Sequence, residues 1–180
     1  MGVVAIDADL SKAEIIKLDE KNFACTRGFD CGDRELNEFL HEDALDHAKN
    51  MVAVTYAFMH DDRILGYFSL STFAIEPRKR ALRILHKRGK KYKLFPAVLI
   101  GRLCVSESRQ GVGVGSKIIS AIIGKVMKLS EEIGCRFVVV DSYPDPRVLK
   151  FYESNNFIDL QANRKEGENV RMYIDLLGEF

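Results

Sequence analysis

Apolar residues recur along this chain at two spacings, one of helices and one of strands. Ile118, Ile119, Ile122, Ile123, Val126, Leu129 and Ile133 fall on one face at the three-to-four-residue step of an α-helix. From Asp33 to Ala48 the same step turns Leu36, Phe39, Leu40, Ala44 and Ala48 inward, with Asp30 or Asp33 near the start of the helix. Strand-type runs cover Ile15 to Leu18, Val52 to Met59, Ile64 to Ile75, Phe95 to Val105 and Arg136 to Asp141. His60-Asp61-Asp62-Arg63 joins the second and third of these as an antiparallel hairpin. Pro144-Asp145-Pro146 opens a short helix holding Val148, Leu149, Phe151 and Tyr152, which ends at Ser154-Asn155-Asn156-Phe157. The order is strand, helix, two or three antiparallel strands, then strand-helix-strand-helix-strand. That order predicts a mixed α/β sheet with helices on both faces. No repeat or low-complexity linker interrupts it, and 180 residues are expected to form one domain spanning 1–180.

Chemistry enters where the Phe95 to Val105 strand runs out. Leu103-Cys104-Val105-Ser106-Glu107-Ser108-Arg109 leads into Gln110-Gly111-Val112-Gly113-Val114-Gly115-Ser116, and the long helix follows. A glycine-rich turn at a helix N-terminus leaves backbone N–H groups unpaired at the positive pole of the helix. Glycines let an anion approach those groups closely, so the turn is a phosphate cradle. It is not the dinucleotide pattern, because Ser116 stands where G-x-G-x-x-G needs its third glycine. It is not a P-loop, because no glycine lies five residues before Gly115-Ser116-Lys117. It fits Q-x-x-G-x-G preceded by Arg109. At these residues the chain resembles the GNAT superfamily of acyl-CoA-dependent N-acyltransferases. The resemblance implies a GNAT-like, mostly antiparallel central sheet and acetyl-CoA as cofactor. It implies a pyrophosphate bound by Arg109, Gln110, Gly111, Val112, Gly113, Val114, Gly115 and Ser116. It also implies an acyl carbonyl held by the backbone of Leu103, Cys104 and Val105.

The second half extends the resemblance to roughly residues 14 to 176. Tyr152 and Phe157 fall on the tyrosine and phenylalanine of the family's last helix and turn. Asn156 departs from the usual glycine, a mild change since Asn tolerates left-handed backbone. Asp145 stands where asparagine is common. The reaction itself needs a donor for the tetrahedral oxyanion and a proton for the departing sulfur. Tyr152 is the candidate general acid. No carboxylate stands out as base, which fits an α-amine with a pKa near ~8 better than a lysine near ~10.4.

Net charge is +1, but it is unevenly spread. Residues 78 to 93 hold nine Lys or Arg and no acid, while the rest carries 18 basic against 26 acidic residues, a balance of −8. The segment is either a solvated loop or a footprint for a phosphate backbone, with Leu82 and Leu85 tethering it and Arg78, Lys79, Arg83 and Lys87 outward. Phe29-Asp30-Cys31-Gly32, Leu36, Phe39-Leu40 and Gly66-Tyr67-Phe68-Ser69-Leu70-Ser71 resemble the toxin branch of GNAT proteins. That branch acetylates the α-amine of aminoacyl-tRNA and is neutralised by a small ribbon-helix-helix antitoxin. The resemblance therefore implies tRNA and such an antitoxin as partners, and a homodimer is a further candidate assembly. Other acceptors remain open at this level: a small amine, a protein amine, or no reaction at all in an RNA-binding module. No run of 18 apolar residues and no secretory leader pattern is present, so a cytoplasmic protein without membrane contact is expected. Met1-Gly2 begins only a weak myristoylation pattern. Cys25, Cys31, Cys104 and Cys135 show no metal spacing, and Cys104 and Cys135 are expected in the core. His41, His47, His60 and His86 are expected to be solvated, and Ser69 and Ser71 are weak candidates for the acceptor cleft.

Overall fold

The computed structural model describes residues 10–76, 93–160, 165 and 167–178. Among these residues, seven strands form one sheet in the order β1-β2-β3-β4-β5-β7-β6. They are β1 (Glu14–Lys17), β2 (Val54–His60), β3 (Arg63–Ile75), β4 (Phe95–Val105), β5 (Phe137–Ser142), β6 (Ile158–Asp159) and β7 (Val170–Asp175). All neighbours are antiparallel except β4 and β5, which run parallel through a crossover helix. The helices are α1 (Arg34–Glu38), α2 (Ala44–Lys49), α3 (Val114–Glu132) and α4 (Pro146–Ser154). A π-helical turn, Phe39–Asp43, joins α1 to α2 without a break, so the expected Asp33 to Ala48 helix is one run with an irregular centre. Asp33 caps it, accepting a hydrogen bond from the Leu36 N–H at 3.0 Å.

Strand alternation sorts the core onto two faces. Phe68, Val98, Ile100, Val138 and Val140 pack with Ile118, Ile119, Ile122 and Val126 of α3 and with α4. Tyr67, next to Phe68, and Ala57, next to Phe58, pack on the opposite face with Phe29, Phe39, Leu40 and Ala44 of the α1–α2 side. Helices on both faces thus match the expectation. Leu129 and Ile133 do not: both are exposed, because the buried stripe of α3 ends at Val126 and the helix ends at Glu132. Gly66 pairs with Val105, and a Cβ there would meet the Cys104 carbonyl at 2.5 Å and Ile118 Cδ1 at 2.7 Å. Only glycine lets β3, β4 and the start of α3 approach this closely.

Candidate active site

One irregularity in β4 creates the site. Ser69 pairs with Arg102 but Leu70 pairs with Ile100, so Gly101 is an extra residue, a β-bulge. The pairing of β4 with β5 also ends at Ile100↔Val140. Beyond the bulge the two parallel strands part, and backbone groups of 101–105 turned away from β3 have no strand partner among the described residues. The bulge also shifts the alternation by one residue. Leu103 and Val105 pack on the α3 face, whereas Cys104 joins the α1–α2 face and Arg102 lies over the Phe39 ring at 5.2 Å. The gap is therefore a passage through the sheet, with a cavity of about 1220 Å³ lined from both sides.

The α3 side of this passage has the backbone geometry that can take an anion. Gly111 and Gly113 have φ of +76° and +87°, the left-handed region that favours glycine. Gly113 is the N-cap of α3 and supplies no side-chain hydrogen bond, so the first-turn N–H groups face outward at the positive helix end. Arg109, Gln110, Gly111, Gly113, Gly115 and Ser116 all line the cavity. Val112 and Val114 do not. Val112 is exposed, and the Val114 side chain is in the core. Gln110 has a different part from the one expected of a ligand-binding side chain. Its Nε2 donates to the Cys31 carbonyl at 2.8 Å and the Val105 carbonyl at 3.1 Å. It thereby ties the turn to the strand end and to the Phe29–Gly32 loop. The Glu107 N–H bonds the Asp30 carbonyl at 3.0 Å, a second tie to that loop. Asp30 Oδ1 in turn accepts from Gly32 N–H at 2.8 Å and Asn37 at 2.6 Å. The Phe-Asp-Cys-Gly motif is a bracket that holds the cradle against β4.

Tyr152 sits on α4 and lines the same cavity. It is buried between Phe151 and Phe157, with ring centroids 5.1 and 5.2 Å away. Burial pushes its phenol well above the ordinary range, so it is neutral throughout the physiological range. Asp145 caps α4, accepting from Arg147 N–H at 2.7 Å, and Asn156 ends the helix at φ +66°. Both departures from the family pattern are accommodated by local geometry.

The opposite side carries Cys31, Asp33, Glu35, Leu36, Arg102 and Tyr143. Glu35 Oε1 accepts from Arg102 at 3.1 Å and Oε2 accepts from the Tyr143 hydroxyl at 3.3 Å. Cys31 lies near Asn37 Oδ1 at 3.2 Å. A hydrogen bond from the Cys104 thiol brings its own thiol down to about 7, while burial pushes Cys104 up. Cys104 is in the core as expected, but Cys135 is only half-buried. Ser69 is buried in the sheet and Ser71 is half-buried; neither lines the cavity. Two histidines depart from expectation. His47 packs edge-on against Phe39 at 5.3 Å, and His60 is largely buried with its Nδ1 unpartnered. Arg78, Lys79, Arg83 and Lys87, with His86 and the start of the chain, lie outside the described residues.

No family model matches the chain. A tRNA-acetylating toxin of Mycobacterium tuberculosis is 25% identical over 117 residues, 65% of this chain and 69% of the relative. The solved structure of AtaT complexed with acetyl-methionyl-tRNAfMet aligns with a TM-score of 0.74 and 26% identity, covering 91% of this chain and 94% of that one. This chain is similar to acetyltransferase toxins over nearly its whole length. The resemblance to the toxin branch of the GNAT fold therefore holds in sequence and in architecture. AtaTR bound with AcCoA aligns with a TM-score of 0.72 and 26% identity, covering 92% and 94%. The mixed α/β fold, with its mostly antiparallel sheet, is shared with these toxins. The bulge at Gly101, and Glu35, Arg102 and Tyr143, were not singled out from the sequence. A lone glycine inside a strand pattern was the signal available for the first.

Proposed function

We propose that this protein transfers the acetyl group of acetyl-CoA to the α-amine of an aminoacyl-tRNA. The observation that carries the reading is the passage through the sheet. A phosphate cradle lies on one face, a polar opening on the other, and unpaired strand backbone runs between them. A thioester entering past Gly111, Gly113 and Gly115 brings its carbonyl to the freed backbone of 103–105, where N–H groups stabilise the oxyanion. The acceptor enters from the α1–α2 face, attacks the carbonyl carbon, and the C–S bond breaks. Tyr152 on the donor side supplies a proton to the sulfur, and the nitrogen releases one, so the proton count balances.

The acceptor assignment draws support from the likeness to toxins that acetylate tRNA and from charge. Nine basic residues between 78 and 93 on an otherwise acidic chain suit a phosphate backbone. A protein antitoxin follows from the same likeness, since an unrestrained enzyme of this kind would halt translation in its own cell. The test is acetylation of a total aminoacyl-tRNA pool with labelled acetyl-CoA, for wild type and for charge reversal at Arg78, Lys79 and Arg83. The reversed protein should bind acetyl-CoA normally but acetylate tRNA poorly. Its log–log salt slope should fall by about 0.7 to 0.9 per lost phosphate contact. A wild type that acetylates none of the pool would sink the tRNA reading, and equal rates and slopes in both proteins would remove the basic segment from it.

A further inference from the structure

We infer that Glu35 is the residue that receives the acceptor's cationic amine, and that with Arg102 it selects an ammonium lying α to a carbonyl. The inference rests on the acetyl-transfer reading above and names the substrate chemistry of the same site. Glu35 stands on α1 over the α1–α2 end of the passage. Its carboxylate bridges the two parted strands, touching Arg102 of β4 and Tyr143 just beyond β5. The other carboxylates of that wall are engaged within the fold. Asp33 caps α1, and Asp141 holds Arg171 through both oxygens at 2.7 and 2.8 Å. Glu35 alone among them is partnered only by side chains that line the opening, and its carboxylate is more than half exposed.

The two partners of Glu35 are unequal. Arg102 is held in place by its own contacts, with Nη1 donating to the Gly101 carbonyl at 3.0 Å and the guanidinium over Phe39. Tyr143 offers a neutral hydroxyl at 3.3 Å on a partly exposed ring. An incoming ammonium replaces the Tyr143 hydroxyl on Oε2 with a charge-assisted bond and leaves the Arg102 pair intact. A carboxylate and a guanidinium side by side then match an α-ammonium ester. The ammonium lies on Glu35, and the ester carbonyl accepts from Arg102. A lysine side chain offers the first of these groups but not the second. A nucleotide phosphate is repelled by Glu35, so the anion-binding and cation-binding ends of the passage cannot be exchanged.

The test compares wild type with Glu35→Gln on aminoacyl-tRNA and on the matching α-hydroxyacyl-tRNA, which is neutral at the same position. Glu35→Gln should raise KM for aminoacyl-tRNA roughly 10- to 100-fold, the loss of one charge-assisted contact, with kcat not lowered. Its affinity for acetyl-CoA and for α-hydroxyacyl-tRNA should equal wild type, and Glu35→Asp should recover part of the KM. An unchanged KM, or equal weakening of the amino and hydroxy forms, overturns the inference and leaves Glu35 a brace for Arg102 and Tyr143. If wild type acetylates no aminoacyl-tRNA, the acceptor reading has failed instead. Binding of an amino acid amide against its α-hydroxy analogue then decides Glu35 by itself. A preference for the ammonium that disappears in Glu35→Gln supports the assignment, and a preference that persists, or is absent from wild type, rejects it.

Discussion

Gly113→Ala separates binding from folding at the phosphate cradle. Gly113 has φ +87°, where a β-carbon costs about 1–2 kcal/mol. For a domain of this size that lowers Tm by roughly 2–8 °C. The new Cβ meets no atom within 4 Å, so strain is the whole structural cost and the variant folds. The open space beside the first-turn N–H groups is where a pyrophosphate oxygen must come. A methyl group there removes one or two N–H···O⁻ bonds of about 1.5–3 kcal/mol each, which weakens acetyl-CoA binding at least about tenfold. Titration calorimetry with acetyl-CoA, beside a thermal melt of the same sample, reads both effects. Wild-type affinity in a folded Gly113→Ala protein would falsify the cradle assignment, because the strain term acts on stability and leaves affinity untouched.

Three further outcomes follow from the same geometry. Tyr152→Phe should cut kcat by about 100-fold or more and leave acetyl-CoA affinity nearly unchanged, since the hydroxyl acts as sulfur charge develops; wild-type kcat removes Tyr152 from the mechanism. Because burial raises its phenol, the rate profile of wild type should show no falling limb from tyrosine ionisation between pH 6 and 9; a limb that vanishes in Tyr152→Phe contradicts this. Asp175→Ala should destabilise the fold by about 3–5 kcal/mol in denaturant titration. It strands Arg136, which donates to Asp175 at 2.7 and 3.0 Å with both side chains nearly excluded from solvent, and a loss under about 1 kcal/mol means the pair is not buried in solution.

Period and punctuation carried most of the fold. The apolar runs of β3 and β4, the hairpin at Asp61-Asp62 and the glycine turn ahead of α3 are local signals, and local structure obeyed them. Three features escaped because they depend on partners distant in sequence. The two-residue β6 exists only through pairing with β7. Leu129 and Ile133 continue the apolar stripe of α3 past its last buried contact at Val126, which periodicity alone cannot reveal. The polar opening joins residues 35, 102 and 143, three elements whose meeting no spacing encodes. Tyr152 and the glycines, singled out by motif, line one cavity; Gln110, legible as part of the same motif, spends its side chain on holding the motif in shape.

The proton balance of the proposed reaction ties these parts to one acceptor class. A phenol raised by burial is a weaker acid than an ordinary alkyl thiol, for which cysteine at ~8.5 is the reference. Handing a proton to a finished thiolate is therefore uphill, and Tyr152 must act while the C–S bond is breaking and recover a proton from the attacking nitrogen. Without a strong base among the described residues of the passage, the amine has to arrive neutral or lose its proton cheaply. At pH 7 deprotonation costs about 1.4 kcal/mol for an α-amine of pKa near 8 and about 4.6 kcal/mol for a lysine of pKa near 10.4. The difference, about 3 kcal/mol, is on the order of 200-fold in rate at equal binding. A carboxylate such as Glu35 favours the cationic form of whichever amine it binds, adding a similar cost to both and leaving that gap in place. Binding through a carboxylate and chemistry through a weak, buried acid thus agree only for an amine of low basicity, the kind carried by an α-aminoacyl ester.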